Sequence, residues 1–291
     1  MLAECLAALQ IDADFGQDAP VFVDGTLGGG GHSAAIASRL PPNGRLLAID
    51  RDPAAVEAAS ATALAERPAV ELQQGSYADL PRFLEVRGWR PASGVLLDLG
   101  LSSDQLVDRT RGFGFDAGGA LDLRFDPTGG LPASEWIAET SERTLAEVLE
   151  RYADEPNAGA IARALKSTQP QTTEELVACV DSIGGRTQHH PATRTIQALR
   201  VAVNEELRHV ERALLESLPL AVRLGGRLAI LTFHSTEDRL VKRSLKAARD
   251  ADGKPVWTAV SKKPILPRPA EVRENPRSRS AKLRVVTRQP M

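Results

Sequence analysis

"VFVDGTLGGGGHS" occupies residues 21–33: an apolar run ending in Asp24, then a stretch holding five glycines, four of them consecutive from Gly28 to Gly31. Glycine costs a helix about 1 kcal/mol relative to alanine and weakens strands as well. So many in one place predict a turn that something must approach closely. With "HSAAIASRL" (32–40) helix-compatible behind it, the stretch reads as the start of a βα unit. The rhythm continues outward. "RLLAID" (45–50), "VELQQ" (70–74) and "GVLLDLG" (94–100) carry strand signals, and "PAAVEAASATALAE" (53–66) and "YADLPRFLEVRG" (77–88) carry helix signals between them. Strands apolar on both faces imply a parallel sheet covered by helices on each side. Pro53, directly after "IDRD", suits the first turn of a helix.

After Gly100 the alternation stops. Residues 104–126 read as loop, rich in Gly, Asp and Arg, and 134–184 read as several helices, with helix-starting residues at Ser141–Thr144 and a stop at Gly184-Gly185. One long helix is expected over 192–217. Strand signals return at "GRLAILTF" (226–233), "VWTAV" (256–260) and "KLRVVTR" (282–288), with a helix over 236–248. The expected organisation is an α/β domain made of 1–104 and 190–291, interrupted by a helical insertion at 105–189.

Composition narrows the classes. No apolar run approaches the 18 or so residues of a membrane span. The start, "MLAECLAALQID", reads as an amphipathic helix rather than a signal peptide. Cys5 and Cys179 are far apart with no CxxC pair, which points to reduced thiols and a cytoplasmic setting. The five histidines show no metal-binding spacing, so no metal is expected. The net charge of −2 hides an asymmetry: residues 242–291 hold 14 Lys+Arg against 4 Asp+Glu, a local +10, which leaves −12 on the rest. A basic tail on an acidic body suits a polyanionic partner, or simply a solvated salt-bridged surface.

In a parallel sheet, ligands bind where the strands end. Those ends carry Asp24 and the glycine turn, Asp50, Gly75-Ser76-Tyr77 and Asp98. A carboxylate after the second strand suits a ribose diol and so a nucleoside cofactor, either a nicotinamide dinucleotide or S-adenosylmethionine. "DGTLGGGGH" does not match GxGxxG spacing, and Asp24 puts negative charge where a pyrophosphate would be repelled. A cationic sulfonium with an aminoacyl tail is favoured instead. Methyl transfer to a delocalised exocyclic amine benefits from oxygens that accept its N–H bonds, and Asp98, Ser102 and Ser103 are the candidates. The two serines also read as plain helix caps. In "HHPATRTIQALRVAVNEEL" (189–207), His190, Arg194, Arg200 and Asn204 are candidates for phosphate or crevice contacts. His234 and Ser235 follow a strand at the same sheet edge, where Glu237 and Asp238 read as ordinary first-turn acids. Arg277, Arg279 and Arg284 form a basic cluster suited to RNA backbone.

Seven stretches together resemble the bacterial ribosomal RNA small subunit methyltransferase H family: "DGTLGGGGHS", "LLAIDRDP", "LLDLGLSS.QL", "RGFGF", "HPATRT.QALR..VN.EL", "TFHS.EDR.VK" and "NPRSRSAKLR". They run in order from about residue 21 to 286. The resemblance implies a class I (Rossmann-like) methyltransferase sheet with an inserted all-helical subdomain for substrate recognition. It implies methyl transfer from S-adenosylmethionine to N4 of a cytidine in the decoding region of 16S ribosomal RNA within the small subunit, with no membrane and no obligate protein partner. By motif, cofactor contacts fall on Gly30, Gly31, His32, Asp50, Tyr77 (beside adenine), Asp98 and Gln105. RNA contacts are expected at His190, Arg194, Asn204, His234, Arg277 and Arg279. The family's usual "H.PVLL.E" opening has no counterpart in "MLAECL", which implies either a different natural start or a rebuilt N-terminal edge. Two rival readings remain: a non-catalytic RNA-binding assembly factor on the same fold, and a nicotinamide-dependent dehydrogenase.

Overall fold

The computed structural model describes residues 1–16, 18–114, 119–184 and 191–289. Its centre is a seven-stranded sheet in the order β3-β2-β1-β4-β5-β7-β6. The strands are β1 (Val21–Asp24), β2 (Arg45–Asp50), β3 (Val70–Gln74), β4 (Ala92–Asp98), β5 (Val222–Thr232), β6 (Trp257–Ala259) and β7 (Lys282–Arg288). The first five pair in parallel. β7 runs antiparallel to β5, and β6 antiparallel to β7. The strand order reverses between β1 and β4, the switch point where such sheets open a ligand crevice. This is a Rossmann-like, doubly wound α/β sheet extended on one side by an antiparallel pair.

Helices α1 (Leu2–Leu9), α2 (Gly31–Ala37), α3 (Pro53–Ser60) and α4 (Leu80–Val86) accompany the first four strands. Alternate strand residues go to opposite faces, as a period of two demands. Val23, Leu47, Val95 and Ile230 join one core with Phe83 and Leu84 of α4. Phe22, Leu46, Leu96 and Ala229 join the other, with Leu6 and Leu9 of α1 and Ile36 of α2. Local chemistry sets the boundaries: Asp52 accepts the Ala54 N–H at 2.9 Å, with Pro53 at the first helical position of α3.

The chain divides into two compact units, 1–100 with 207–291, and 101–206. The second unit therefore takes in residues expected to belong to the sheet domain, at 101–104 and 190–206. It holds α5 (Ser103–Val107), α6 (Ala133–Glu139), α7 (Glu142–Ala153), α8 (Ala158–Thr168), α9 (Thr173–Ile183) and α10 (Pro191–Val203). Its core draws on Phe113, Leu121, Leu123 and Phe125 from the stretch read as loop, packed with Leu145, Leu149, Ile161 and Leu199.

The single long helix expected over 192–217 is broken. α10 ends at Val203, Glu205 turns left-handed at φ 48°, and α11 (Glu206–Arg212) restarts. A π-helical turn at Ala213–Ser217 and α12 (Leu218–Ala221) lead into β5. The remaining helices are α13 (Ser235–Ala247) and α14 (Pro269–Glu274). No helix among the described residues is long and apolar enough to cross a membrane.

Candidate cofactor and substrate site

The glycines of the opening turn do different jobs. A Cβ at Gly25 would lie 2.5 Å from Leu97 Cδ2 and 3.0 Å from Tyr77 Cβ, so this glycine lets the chain pack against β4. Gly28 and Gly30 are left-handed, at φ 48° and 77°, and bend the turn into α2. Gly31 looks into open space, with no atom within 4 Å of where its Cβ would stand. The turn is tied to β2, since the Gly28 N–H donates to Asp50 Oδ2 at 2.8 Å and the Leu27 N–H to the Ile49 carbonyl at 2.8 Å.

Three carboxylates surround it. Asp24 has no exposed surface. Its Oδ2 accepts the Ser33 hydroxyl at 2.6 Å and its Oδ1 the Thr26 N–H at 3.2 Å. Asp24, expected as a cofactor contact, is thus enclosed by its own chain and ties the turn to α2. Burial, with Asp98 and Asp50 adding, pushes its carboxyl up to about 7 against those two hydrogen bonds. Asp50 is also raised by burial, while accepting N–H groups from Asp52 and Gly28.

Asp98 ends β4, anchored by its N–H to Thr26 Oγ1 at 2.6 Å. Its Oδ2 lies 3.5 Å from Nδ1 of His32 in the first turn of α2, and its side chain is 30% exposed. Its Oδ1 is buried with no hydrogen-bond partner among the described residues. Burial, then the charge of Glu237, push its carboxyl up to about 7 against the N-terminal ammonium. Burial also lowers the pKa of His32, so a neutral ring faces Asp98.

Tyr77 opens a short 3₁₀ turn after β3, is 6% exposed, and packs in the core with Val23 and Leu97. Beside it, Ser76 Oγ stands 3.0 Å from Nδ1 of His209, a residue of α11 that the sequence reading passed over.

His234 caps α13: Nδ1 accepts the Glu237 N–H at 3.3 Å, and Nε2 lies 2.7 Å from Glu237 Oε1. Nδ1 thus caps α13, while Nε2, although close to that carboxylate, is buried and makes no hydrogen bond among the described residues. Glu237 is 2% exposed and its Oε2 accepts the Phe233 N–H at 3.1 Å, so it is a buried cap partner rather than an ordinary first-turn acid. Asp238 accepts Arg284 at 2.7 and 3.1 Å, with Lys282 at 3.4 Å. Although burial works to raise its carboxyl, these partners hold it below the usual range. Arg284 is thus taken within the fold, while Arg277 and Arg279 stand exposed on the 276–280 turn.

In the helical unit, taken by itself, several candidates have local duties. Ser102 Oγ accepts the Gln105 N–H at 3.1 Å and Gln105 Oε1 accepts the Ser102 N–H at 3.0 Å, a reciprocal capping box on α5. Ser103 is exposed at the start of that helix. Asn204 is not a surface residue for RNA. It is buried, accepting the Phe125 N–H at 2.7 Å and donating to the Leu123 and Arg200 carbonyls at 2.7 and 2.9 Å. Arg200 forks onto Glu206 at 2.6 and 3.1 Å rather than onto phosphate. Arg194 remains partly open, 29% exposed, with Nη1 4.0 Å from the buried Glu155 Oε2. His190 lies outside the described residues.

The chain is similar in sequence to known proteins. The model of the MraW methylase family matches residues 1–289. A ribosomal RNA small subunit methyltransferase H of Thermomicrobium roseum is 45% identical, over 94% of this chain and 89% of its own length. The protein of the same name from Methylococcus capsulatus is 44% identical, with 98% of each covered. Among solved structures, TrmN of Thermus thermophilus gives a TM-score of 0.45 at 13% identity, covering 99% of this chain and 48% of that one. At this identity and coverage, the chain belongs to the MraW methylase family.

Proposed function

We propose that this methylase transfers a methyl group from S-adenosylmethionine to the N4 amine of a cytidine in the decoding region of 16S ribosomal RNA, acting in the cytoplasm on the small subunit. The observation that carries the cofactor reading is the buried, unpartnered Asp98 Oδ1, grouped with Asp24 and Asp50 around a glycine turn at the switch point of the sheet. Carboxylates crowded out of water await a cation, and a sulfonium compound with an ammonium tail fits them. A pyrophosphate does not, which disfavours the dehydrogenase reading. The relatives' names support ribosomal RNA as substrate.

When bound, the cofactor supplies an electrophilic methyl on a positively charged sulfur. Asp50 would hold the ribose hydroxyls with lone pairs left by its backbone donors. Gly30 and Gly31 give close access to the backbone at the start of α2, and neutral His32 flanks Asp98. The negative field of Asp24 and Asp98 holds the cation in place, and positioning supplies most of the rate. Arg194, Arg277 and Arg279 are the proposed phosphate contacts. Ser103, exposed at the start of its helix, is the proposed acceptor for an N–H of the amine, and Ser102 caps that helix.

The test is a mass-spectrometric search for N4-methylcytidine in ribosomal RNA from cells with and without the gene. Purified protein is run alongside on small subunits and on protein-free RNA. Extruding a stacked base costs a few kcal/mol, so the assembled subunit, with its base exposed, is expected to be the faster substrate. An unchanged N4-methylcytidine level overturns the reading. Tight RNA binding without methyl transfer identifies an assembly factor instead.

A further inference from the structure

Between β6 and β7 the chain makes a basic excursion. Residues 261–280 hold six Lys+Arg (Lys262, Lys263, Arg268, Arg273, Arg277 and Arg279) against Glu271 and Glu274. The sheet register fixes where this excursion lies. Asp98 pairs with Leu231 at the ends of β4 and β5, and Thr232 pairs with Lys282, the first residue of antiparallel β7. Ile265 bridges Leu283. The excursion therefore leaves β6 at the level of Val285, passes Leu283 at Ile265 and ends at the strand-end edge that carries Asp98. Antiparallel β7 makes this possible, because a seventh parallel strand would start from the opposite edge.

The charges there are largely uncommitted. Arg268 is 82% exposed, with Glu4 at 3.5 Å. The side chains of Lys262, Lys263, Arg273 and Arg279 are exposed and make no ion pair or hydrogen bond among the described residues. By contrast Lys282 and Arg284, two and four residues further on, are neutralised by Asp238. Glu271 is taken by the N-terminal ammonium at 2.7 Å, which removes one of the two acids from the field. A row of unpaired cations beside an active edge is what a phosphate backbone requires, and such contacts position a nucleic acid without reading its bases.

We propose that residues 261–280 form a phosphate-tracking strip that holds ribosomal RNA flanking the target nucleotide against the strand-end edge. This rests on the reading of the substrate as RNA and adds the surface that grips it.

The experiment measures binding of the full-length protein to small subunits lacking the modification, as a function of salt, for the wild type and for a quadruple variant Lys262→Gln, Lys263→Gln, Arg273→Gln, Arg279→Gln. Four lost contacts with unpaired RNA lower the slope of log K against log salt by about 3. The wild type should then lose roughly 50-fold more affinity than the variant between 50 and 200 mM salt. S-adenosylmethionine affinity, measured by calorimetry, stays at the wild-type value and shows the variant to be folded. Arg90→Gln, just before β4 at the opposite edge, leaves the slope unchanged. An unaltered slope in the quadruple variant overturns the strip, as does an equal loss in Arg90→Gln. A photo-crosslinker on Lys263→Cys should label 16S RNA, and labelling of ribosomal protein alone overturns the choice of partner. Methyl transfer by the wild type in the same preparation tests the substrate reading separately.

Discussion

Asp24 offers a perturbation whose sign is opposite to intuition. Replacing it with Asn should stabilise the free protein while weakening its grip on the cofactor. Its carboxyl is fully buried, and burial raises it from 3.8 to about 7. The folded chain therefore holds this proton more tightly than the unfolded chain does. The contribution of Asp24 to stability is greatest below about pH 4, falls as pH rises towards 7, and above 7 carries the whole penalty. About three pKa units at roughly 1.4 kcal/mol each make that penalty about 4 kcal/mol. Asp98 titrates in the same window, so the two carboxyls lose their protons as a coupled set.

The Asp24→Asn side chain would keep the size, keep an oxygen for the Thr26 N–H, and present an amide that the Ser33 hydroxyl can turn to meet. At pH 8 the variant should resist urea better than wild type by up to about 4 kcal/mol, with the gap closing below about 1 kcal/mol by pH 4. Wild-type affinity for S-adenosylmethionine should fall as pH drops below 7, by up to tenfold per unit for each carboxyl that must lose a proton. The variant's binding should be weaker above pH 7, with a shallower pH dependence. The assays are urea unfolding of the free protein from pH 4 to 8 and calorimetry over the same range. A variant less stable than wild type by a constant amount across that range would mean that ionised Asp24 supports the fold, and the argument fails.

Two further substitutions separate the site from the scaffold. Asp50→Ala frees the Gly28 and Asp52 N–H groups and removes the proposed ribose acceptor. Cofactor affinity should drop by about 1–3 kcal/mol, or about 5- to 150-fold, and an unchanged Kd in calorimetry rejects the role. Asn204→Ala strands the Phe125 N–H and the Leu123 carbonyl inside the helical unit. It should cost about 2–4 kcal/mol in chemical denaturation. Weakened RNA binding at unaltered stability would instead return Asn204 to the substrate.

The sheet was legible because its signal is local and redundant. Strands such as "RLLAID" are apolar at every inner position, and one register sends Leu46 and Leu47 to opposite cores. The break after Val203 was not legible. Helical periodicity runs straight through Asn204, and what stops the helix lies in the Leu123–Phe125 segment, whose backbone groups need that amide. Nor could 104–126 be recognised as core-forming. Its glycines and charges read as loop, and although Leu121, Leu123 and Phe125 alternate with the period of a strand, the segment forms no strand among its described residues and Phe113 stands outside that period.

The site itself divides along a physical line. Acids at strand ends are placed by topology, so Asp24, Asp50 and Asp98 could be found by counting strands. Polar residues inside motifs are ambiguous from sequence, since a side chain that could grip a substrate can equally satisfy an orphan backbone group. Ser102, Gln105, Asn204 and Glu237 all went to the second use, and Arg200 to a buried carboxylate. The motif residues that do face outward are fewer, and they differ in kind. Gly31 opens onto empty space, Asp98 keeps an unpartnered oxygen, and Arg279 keeps an unpaired charge. Each is left incomplete by its own chain. Buried polar groups are normally paired, yet Glu155 Oε2, Arg223 Nε, His234 Nε2 and Ser244 Oγ share the unpartnered state of Asp98 Oδ1, so it is incompleteness together with a place at the strand ends beside the glycine turn that marks Asp98 for a cofactor.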